Sequence, residues 1–219
     1  MTEPSRVVFL LDCDNTLLDN DHFEADLRAH LIAKVGADGS ARYWHAYEAL
    51  RGELGYADYL GALQRARPPE HADNAWLELS AFLLDYPFAE RLYPGALNLL
   101  AQLGAVGPTV ILTDGDVVFQ PRKLHRSGLW QAVDGRVLIY IHKEEALDDV
   151  AAHYPASRYV LIDDKLRLLN AIKNIWHDRV RTVFPRQGHY AHDPQVATLP
   201  AADVTVDRIG DLDARALSA

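Results

Sequence analysis

Five short segments of this chain are apolar almost without interruption: RVVFLLD (6–12), TVILTD (109–114), RVLIYI (136–141), RYVLID (158–163) and VRTVF (180–184). A strand with one wet face alternates apolar and polar residues. Unbroken runs therefore predict strands covered on both faces, as in a parallel sheet between helical layers. Between the runs, apolar residues recur at helical spacing: Leu97, Leu100 and Leu103 after the Pro94-Gly95 turn, then Leu147, Val150, Ala151 and Tyr154, then Leu166, Leu169 and Ile172. Strand and helix in repetition predict an α/β fold, a Rossmann-like doubly wound parallel sheet. ADVTVD (202–207) suits a further short edge strand, and the tail IGDLDARALSA predicts a closing helix or a frayed end.

Residues 18–93 break the alternation. They contain no strand pattern, are too long for a crossover and are too apolar for a loop. Phe23, Leu27, Leu31 and Val35 form one helical face, Trp44, Tyr47, Leu50 and Leu54 a second, and Trp76, Leu79, Phe82, Leu83 and Tyr86 a third, with GADGS (36–40) and RARPPEHAD (65–73) as punctuation. Two arrangements satisfy this pattern: an all-helical unit inserted after the first strand, or helices laid flat on the sheet. The loop-length argument favours the insert. The expected division is a core of residues 1–17 and 94–219 with an inserted all-helical unit of residues 18–93.

Composition removes several functional classes. Twenty-two Lys and Arg stand against 31 Asp and Glu, a net charge of −9 with the basic residues scattered, which disfavours general nucleic-acid binding. Local cations and a metal can still admit a small phosphorylated ligand to a cleft. The one cysteine, Cys13, excludes a disulfide or a cysteine zinc site within the chain and reads as a small packed side chain. No signal-peptide pattern and no apolar stretch of membrane-spanning length occurs, so a cytoplasmic protein, monomer or homodimer, with no membrane partner is expected.

The first strand delivers Asp12 and Asp14 side by side, against their mutual repulsion. An EF-hand loop starting at Asp12 would need Gly at its sixth position and Glu at its twelfth, where this chain has Leu17 and Phe23. Two acids at a strand end also occur simply as turn formers. In open α/β sheets, however, ligands bind beyond the carboxyl ends of the strands, and paired carboxylates become favourable beside a hard cation such as Mg²⁺. Other strand ends supply complementary groups: Thr113 with Asp114 and Gly115, Lys143 beyond the third run, and Asp163-Asp164 beyond the fourth.

Together these segments resemble the haloacid dehalogenase-like hydrolase superfamily. Its Asp-x-Asp-x-Thr motif is matched by Asp12, Asp14 and Thr16, its strand-ending Thr by Thr113, its lysine by Lys143 and its acidic pair by Asp163 and Asp164. The resemblance implies a Mg²⁺-dependent phosphatase acting on a small phosphorylated substrate. Asp12 would be the nucleophile and Asp14 the general acid and base. Thr113 would donate to a phosphoryl oxygen with backbone amides around Asn15 and Asp114. Asp12, the Asp14 main-chain carbonyl, Asp163 and Asp164 would hold the metal. Asn15 and Thr16 would shape the turn. The insert of residues 18–93 stands in the place that the resemblance implies for a helical cap.

Dehalogenases of the superfamily lack the second aspartate, so Asp14 argues against that activity. A phosphomutase, a phosphonate hydrolase using Lys34 for a Schiff base, and a non-catalytic Mg²⁺- or phosphate-binding scaffold are the alternatives. For the lysine, Lys143 is preferred over Lys123. Lys123 lies ten residues past Thr113 in a predicted helix, and a rise of ~1.5 Å per residue would carry it away from the site. Lys165 reads as a solvated charge or a partner of Asp164, and His189 with His192 as surface-loop residues rather than a metal pair.

Overall fold

A computed structural model of the chain describes residues 5–68 and 74–218. The first strand, β1, is Ser5–Leu11. It is followed by three helices, α1 (Asn20–Leu54), α2 (Tyr59–Ala66) and α3 (Asn74–Asp85). From there strand and helix alternate: α4 (Ala96–Gly104), β2 (Thr109–Asp114), α5 (Phe119–Ser127), α6 (Leu129–Ala132), β3 (Val137–Tyr140), α7 (Leu147–His153), β4 (Ala156–Ile162) and α8 (Leu166–Trp176). The strands β5 (Val180–Pro185) and β6 (Val204–Val206) and the closing helix α9 (Ala214–Ser218) complete the order.

The six strands form one sheet in the order β3-β2-β1-β4-β5-β6, every pair parallel. The chain winds outward from β1 to β3 and then returns to the other side at β4, which makes the ends of β1, β2 and β4 the topological switch point. Leu11 is in register with Ile111 on one side and Ile162 on the other. The residues that follow β1 and β4 therefore emerge at the same level, while β2 runs three residues further, to Asp114.

Burial on both faces explains the unbroken apolar runs. Val7, Phe9, Leu11, Ile111, Val160, Ile162 and Val183 face a cluster shared with α4, α5, α6 and α9. Their neighbours Val8, Leu10, Val110, Leu112, Tyr159, Leu161 and Phe184 face α7 and α8. Two details depart from expectation. The residues of β3 are all half-buried, because this strand sits at the sheet edge. Leu97 is exposed, and the inward face of α4 is Ala96, Leu99, Leu100 and Leu103.

The inserted helices continue the first of these clusters. The carboxylate of Asp19 caps α1 by accepting from the His22 amide at 2.9 Å, and Asp58 caps α2 through the Gly61 amide at 2.7 Å. Both halves of α1 contribute buried residues, with Phe23, Leu27 and Leu31 before the GADGS segment and Tyr43, Tyr47 and Leu50 after it. α1 packs against α2 and α3, while Phe23 meets the rings of Tyr59, Tyr86, Phe88 and Phe119 at centroid distances of 5.0–5.9 Å. Phe119 opens α5, so apolar contact runs from the sheet face into the insert without a gap. Of the RARPPEHAD punctuation, residues 69–73 lie outside the described residues. No described helix is long and apolar enough to cross a membrane.

The break in α1 falls at Gly36, whose φ of 71° and ψ of 177° form a combination open to glycine and closed to other residues. A Cβ there would meet nothing within 4 Å, so the requirement is one of backbone conformation and not of space. Gly36→Ala is expected to lower the unfolding free energy by about 1–3 kcal/mol, measured by urea denaturation followed by circular dichroism.

Candidate active site

Past Leu11 the chain turns back on itself. The Cys13 carbonyl accepts the amides of Thr16, Leu17 and Leu18 at 3.3, 2.9 and 3.0 Å, and Asn15 takes a left-handed φ of 58°. The Asn15 side-chain oxygen then receives the amides of Asn20 and Asp21 at 3.0 and 3.2 Å, tying the turn to the start of α1. Gly188 (φ 68°) closes over Asn15 so tightly that a Cβ would collide with the Asn15 side chain. Across the sheet, the Asp164 amide donates to Thr16 Oγ1 at 3.0 Å. Asn15 and Thr16 are thus turn formers, as expected, and Cys13 is packed and fully buried. One expectation fails: the Asn15 amide donates to the Leu18 carbonyl at 2.6 Å, because the turn folds back, and it does not face the cavity as a free donor.

This turn sets Asp12 beside the end of β4. The Asp12 amide donates to the Ile162 carbonyl at 2.9 Å, and the side chains of Asp12, Asp163 and Asp164 each offer an oxygen within 4.8 Å of the others. Lys143 enters from the end of β3. Its ammonium lies 2.5 Å from Asp12 Oδ1 and 2.6 Å from Asp163 Oδ2, and it donates to the Leu112 carbonyl at 3.3 Å. Its amide is anchored on Asp114 Oδ1 at 2.9 Å. Burial works against the Lys143 charge, but the carboxylates of Asp12, Asp163 and Asp114 outweigh it and hold its pKa well above the usual lysine value.

Burial has the opposite effect on the acids. It pushes the Asp12 carboxyl up to about 7, with Lys143 pulling down and Asp163 pushing further up. Burial, followed by the charges of Asp163 and Asp12, raises Asp164 well above the carboxylate range. Neither oxygen of Asp164 receives a hydrogen bond although both are buried. A buried carboxylate without a donor is costly. Three converging carboxylates, one of them unsatisfied, are an all-oxygen donor set suited to a hard divalent cation.

Asp14 points away from this group. Both its oxygens are held by Lys123, at 2.7 and 2.9 Å. The expectation that helical rise removes Lys123 from the site is therefore wrong. Asp116 caps α5 by accepting the amides of Val118 and Phe119, each at 2.7 Å, so the helix starts at Phe119 and Lys123 is barely one turn inside it. Gln120, three residues earlier on the same helix face, donates to Thr113 Oγ1 at 3.0 Å and to Asp14 at 3.4 Å. The Gln120–Lys123 spacing behind a capping Asp116 was the sequence signal for both residues.

A cavity of about 420 Å³ opens between the insert and this sheet edge, lined among others by Asp14, Asp114, Lys165, Glu24, Arg51 and Tyr190. Lys165 lies over the Tyr190 ring, 5.2 Å from its centroid. Burial opposes its charge, but Asp12, Asp163 and Asp164 hold its pKa above the usual lysine value against the repulsion of Lys143. His189 pairs with Asp21 at 2.6 Å and His192 is exposed. Lys34 pairs with Glu78 at 2.6 Å on the surface of the insert and does not line the cavity.

No family model and no curated protein matches the chain. Solved structures do. A haloacid dehalogenase-like hydrolase structure from Burkholderia xenovorans shares 66% identity over 95% of each chain, with a TM-score of 0.89. A haloacid dehalogenase-like family hydrolase from Xanthomonas campestris shares 18% identity over 98% of this chain and 92% of its own, with a TM-score of 0.69. A HAD-hydrolase from Bacillus subtilis, bound to magnesium and showing interdomain movement, shares 18% identity over 94% of this chain and 96% of its own at a TM-score of 0.60. Other matched structures include 2-haloacid dehalogenases. These more distant likenesses carry the fold alone. The Burkholderia relative, joined to the parallel sheet and the buried aspartate cluster at its switch point, places this chain among the haloacid dehalogenase-like hydrolases.

Proposed function

We propose that this hydrolase is a Mg²⁺-dependent phosphatase that cleaves a small phosphate monoester through an aspartyl phosphate on Asp12. The observation that carries this reading is the division of labour between two aspartates of one turn. Asp12 is buried with Lys143 beside the unsatisfied Asp164, while Asp14 reaches the cavity. A halide departs without a proton, which would leave Asp14 no task, whereas an alkoxide leaving from phosphorus needs one. The position of Lys34, on the insert surface and away from the cavity, speaks against Schiff-base cleavage of a phosphonate.

The residues fit the successive steps. Asp12 attacks phosphorus, and the bond from phosphorus to the ester oxygen breaks as Asp14 gives that oxygen its proton. Asp14 then takes a proton from the water that attacks the aspartyl phosphate, releasing phosphate and restoring Asp12. Lys143 holds Asp12 in place and offsets its charge as the anionic substrate approaches. Lys165 lines the cavity and would meet a phosphoryl oxygen there, and Thr113, held by Gln120 beneath it, would donate its hydroxyl to another. Mg²⁺ held by Asp12, Asp163 and Asp164, with the Asp14 carbonyl, would supply charge that screens nucleophile from phosphate. Residues 18–93 would act as a cap that excludes bulk water from the cavity.

Purified protein is expected to release phosphate from p-nitrophenyl phosphate or acetyl phosphate in Mg²⁺, and Asp12→Asn to lower kcat by at least about a thousandfold. Steady-state assays of both proteins decide this, and unchanged turnover in the variant would defeat the mechanism. Because burial holds the metal-free Asp12 carboxyl at about 7, protons compete with Mg²⁺ below that pH. Mg²⁺ affinity should fall as the pH drops below 7, by about tenfold per pH unit for each ligand carboxyl that must lose a proton, and Asp164, also raised by burial, adds to the slope of Asp12. Calorimetric titration between pH 5.5 and 8.5 checks the slope, and proton release on binding at pH 6 checks the sign.

A further inference from the structure

We infer that Lys123 is a positioning residue that aims the Asp14 carboxyl at the reacting phosphate, and that its grip is complete when the inserted helices are seated on the core. The inference rests on the phosphatase reading above, since it gives a role to the proton donor and acceptor of that reaction.

The geometry shows how firmly Lys123 is committed. Its side chain is fully buried, and its ammonium spends three donors on three acceptors: both oxygens of Asp14 and, at 2.9 Å, Asn20 Oδ1. Four aromatic rings surround the charge, those of Phe119, Phe88, Phe23 and Tyr59, with centroids 5.5, 5.7, 5.9 and 5.9 Å from Nζ. A lysine saturated and walled in this way has no freedom to swing onto a phosphate. Its single outlet is Asp14, which is 31% exposed at the side chain while Lys123 is 0% exposed. One side of the carboxylate is gripped and the other faces the cavity.

Stability alone does not account for the arrangement. Burying an ammonium and a carboxylate stabilises a fold no better than well-packed apolar side chains of the same volume. The walls come from two sources: Asn20 and Phe23 belong to α1 and Tyr59 to α2, whereas Lys123 and Phe119 belong to α5 in the core. Lifting residues 18–93 withdraws the Asn20 acceptor and three rings, those of Phe23, Tyr59 and Phe88, admits water to the ammonium and returns rotamer freedom to Asp14. The proton donor is therefore held in its working position when the substrate is enclosed.

The test uses the full chain in Mg²⁺ and a double-mutant cycle of Lys123→Met and Asp14→Asn. The readout is stopped-flow release of p-nitrophenolate, with phosphoenzyme decay followed after acid quenching. p-Nitrophenolate leaves without a proton, so the first step tolerates a misplaced Asp14 and hydrolysis of the aspartyl phosphate does not. Lys123→Met should give a burst near one equivalent, then a steady rate lower by roughly a hundredfold, with KM within about threefold of wild type. In the Asp14→Asn background, Lys123→Met should alter phosphoenzyme decay by less than about twofold, since residues acting as one unit are not additive.

Loss of the burst in step with the steady rate, or a further drop of about tenfold in the Asp14→Asn background, would overturn the inference. Should Lys123→Met alone fail to fold, the same criterion applies to Asp14→Asn against the double variant, whose neutral pair leaves no unpaired buried charge. Absence of turnover in the wild type, or its survival in Asp12→Asn, overturns the phosphatase reading and the inference with it.

Discussion

Crowding carboxylates at one dry edge of a sheet is the constraint around which this molecule is built. Asp12, Asp114, Asp163 and Asp164 all lie within the field of Lys143, and Asp14 stands one residue from Cys13 with Lys123 on both its oxygens. Carboxylates crowded together at a dry edge repel one another. Two buried ammonium groups let the cluster persist, one for each aspartate of the first turn. The balance is incomplete at Asp164, where two oxygens have no donor. With that deficit the cluster is not an ion-pair network closed upon itself, and its oxygens could hold a cation.

The inserted helices are part of the same solution. A buried lysine needs walls as well as a counter-ion, and the rings around Lys123 come from both sides of the junction. The aromatic contacts of Phe23 carry the apolar cluster of the sheet into α1 and α2. The insert is thus joined to the core at the point where Asp14 and Lys123 stand, and the cavity lies just outside that joint. Motion there would change the contacts of Asp14 and Lys123 and not the mouth of the cavity alone.

Much of this architecture was legible in the residue pattern. Apolar runs without alternation marked strands buried on both faces, and their terminal acids, hydroxyl and lysine marked the edge where chemistry would gather. Asp12, Asp163 and Lys143 converge as their places after successive strands required. Lys123 escaped because linear distance along a helix was weighed without the helix start: Asp116 delays α5 to Phe119 and brings its first turn back over Thr113. The Asn15 amide was misjudged because the hydrogen bonding of a tight turn depends on a left-handed φ that composition alone does not show. The half-buried β3 follows from strand order, a property of the whole sheet and not of the segment.

The register between β1 and β4 has one more effect. Residues 5–11 pair with residues 156–162, so the first and last members of the aspartate cluster meet when the centre of the sheet closes over nearly the whole intervening chain. During synthesis on the ribosome, Asp12 emerges early and waits, its partners still untranslated. Loop closure over such a span comes late in folding. The carboxylates of this edge thus come together in one step, when the two distant segments pair, and a chain in which they have not yet paired leaves the acids apart in water.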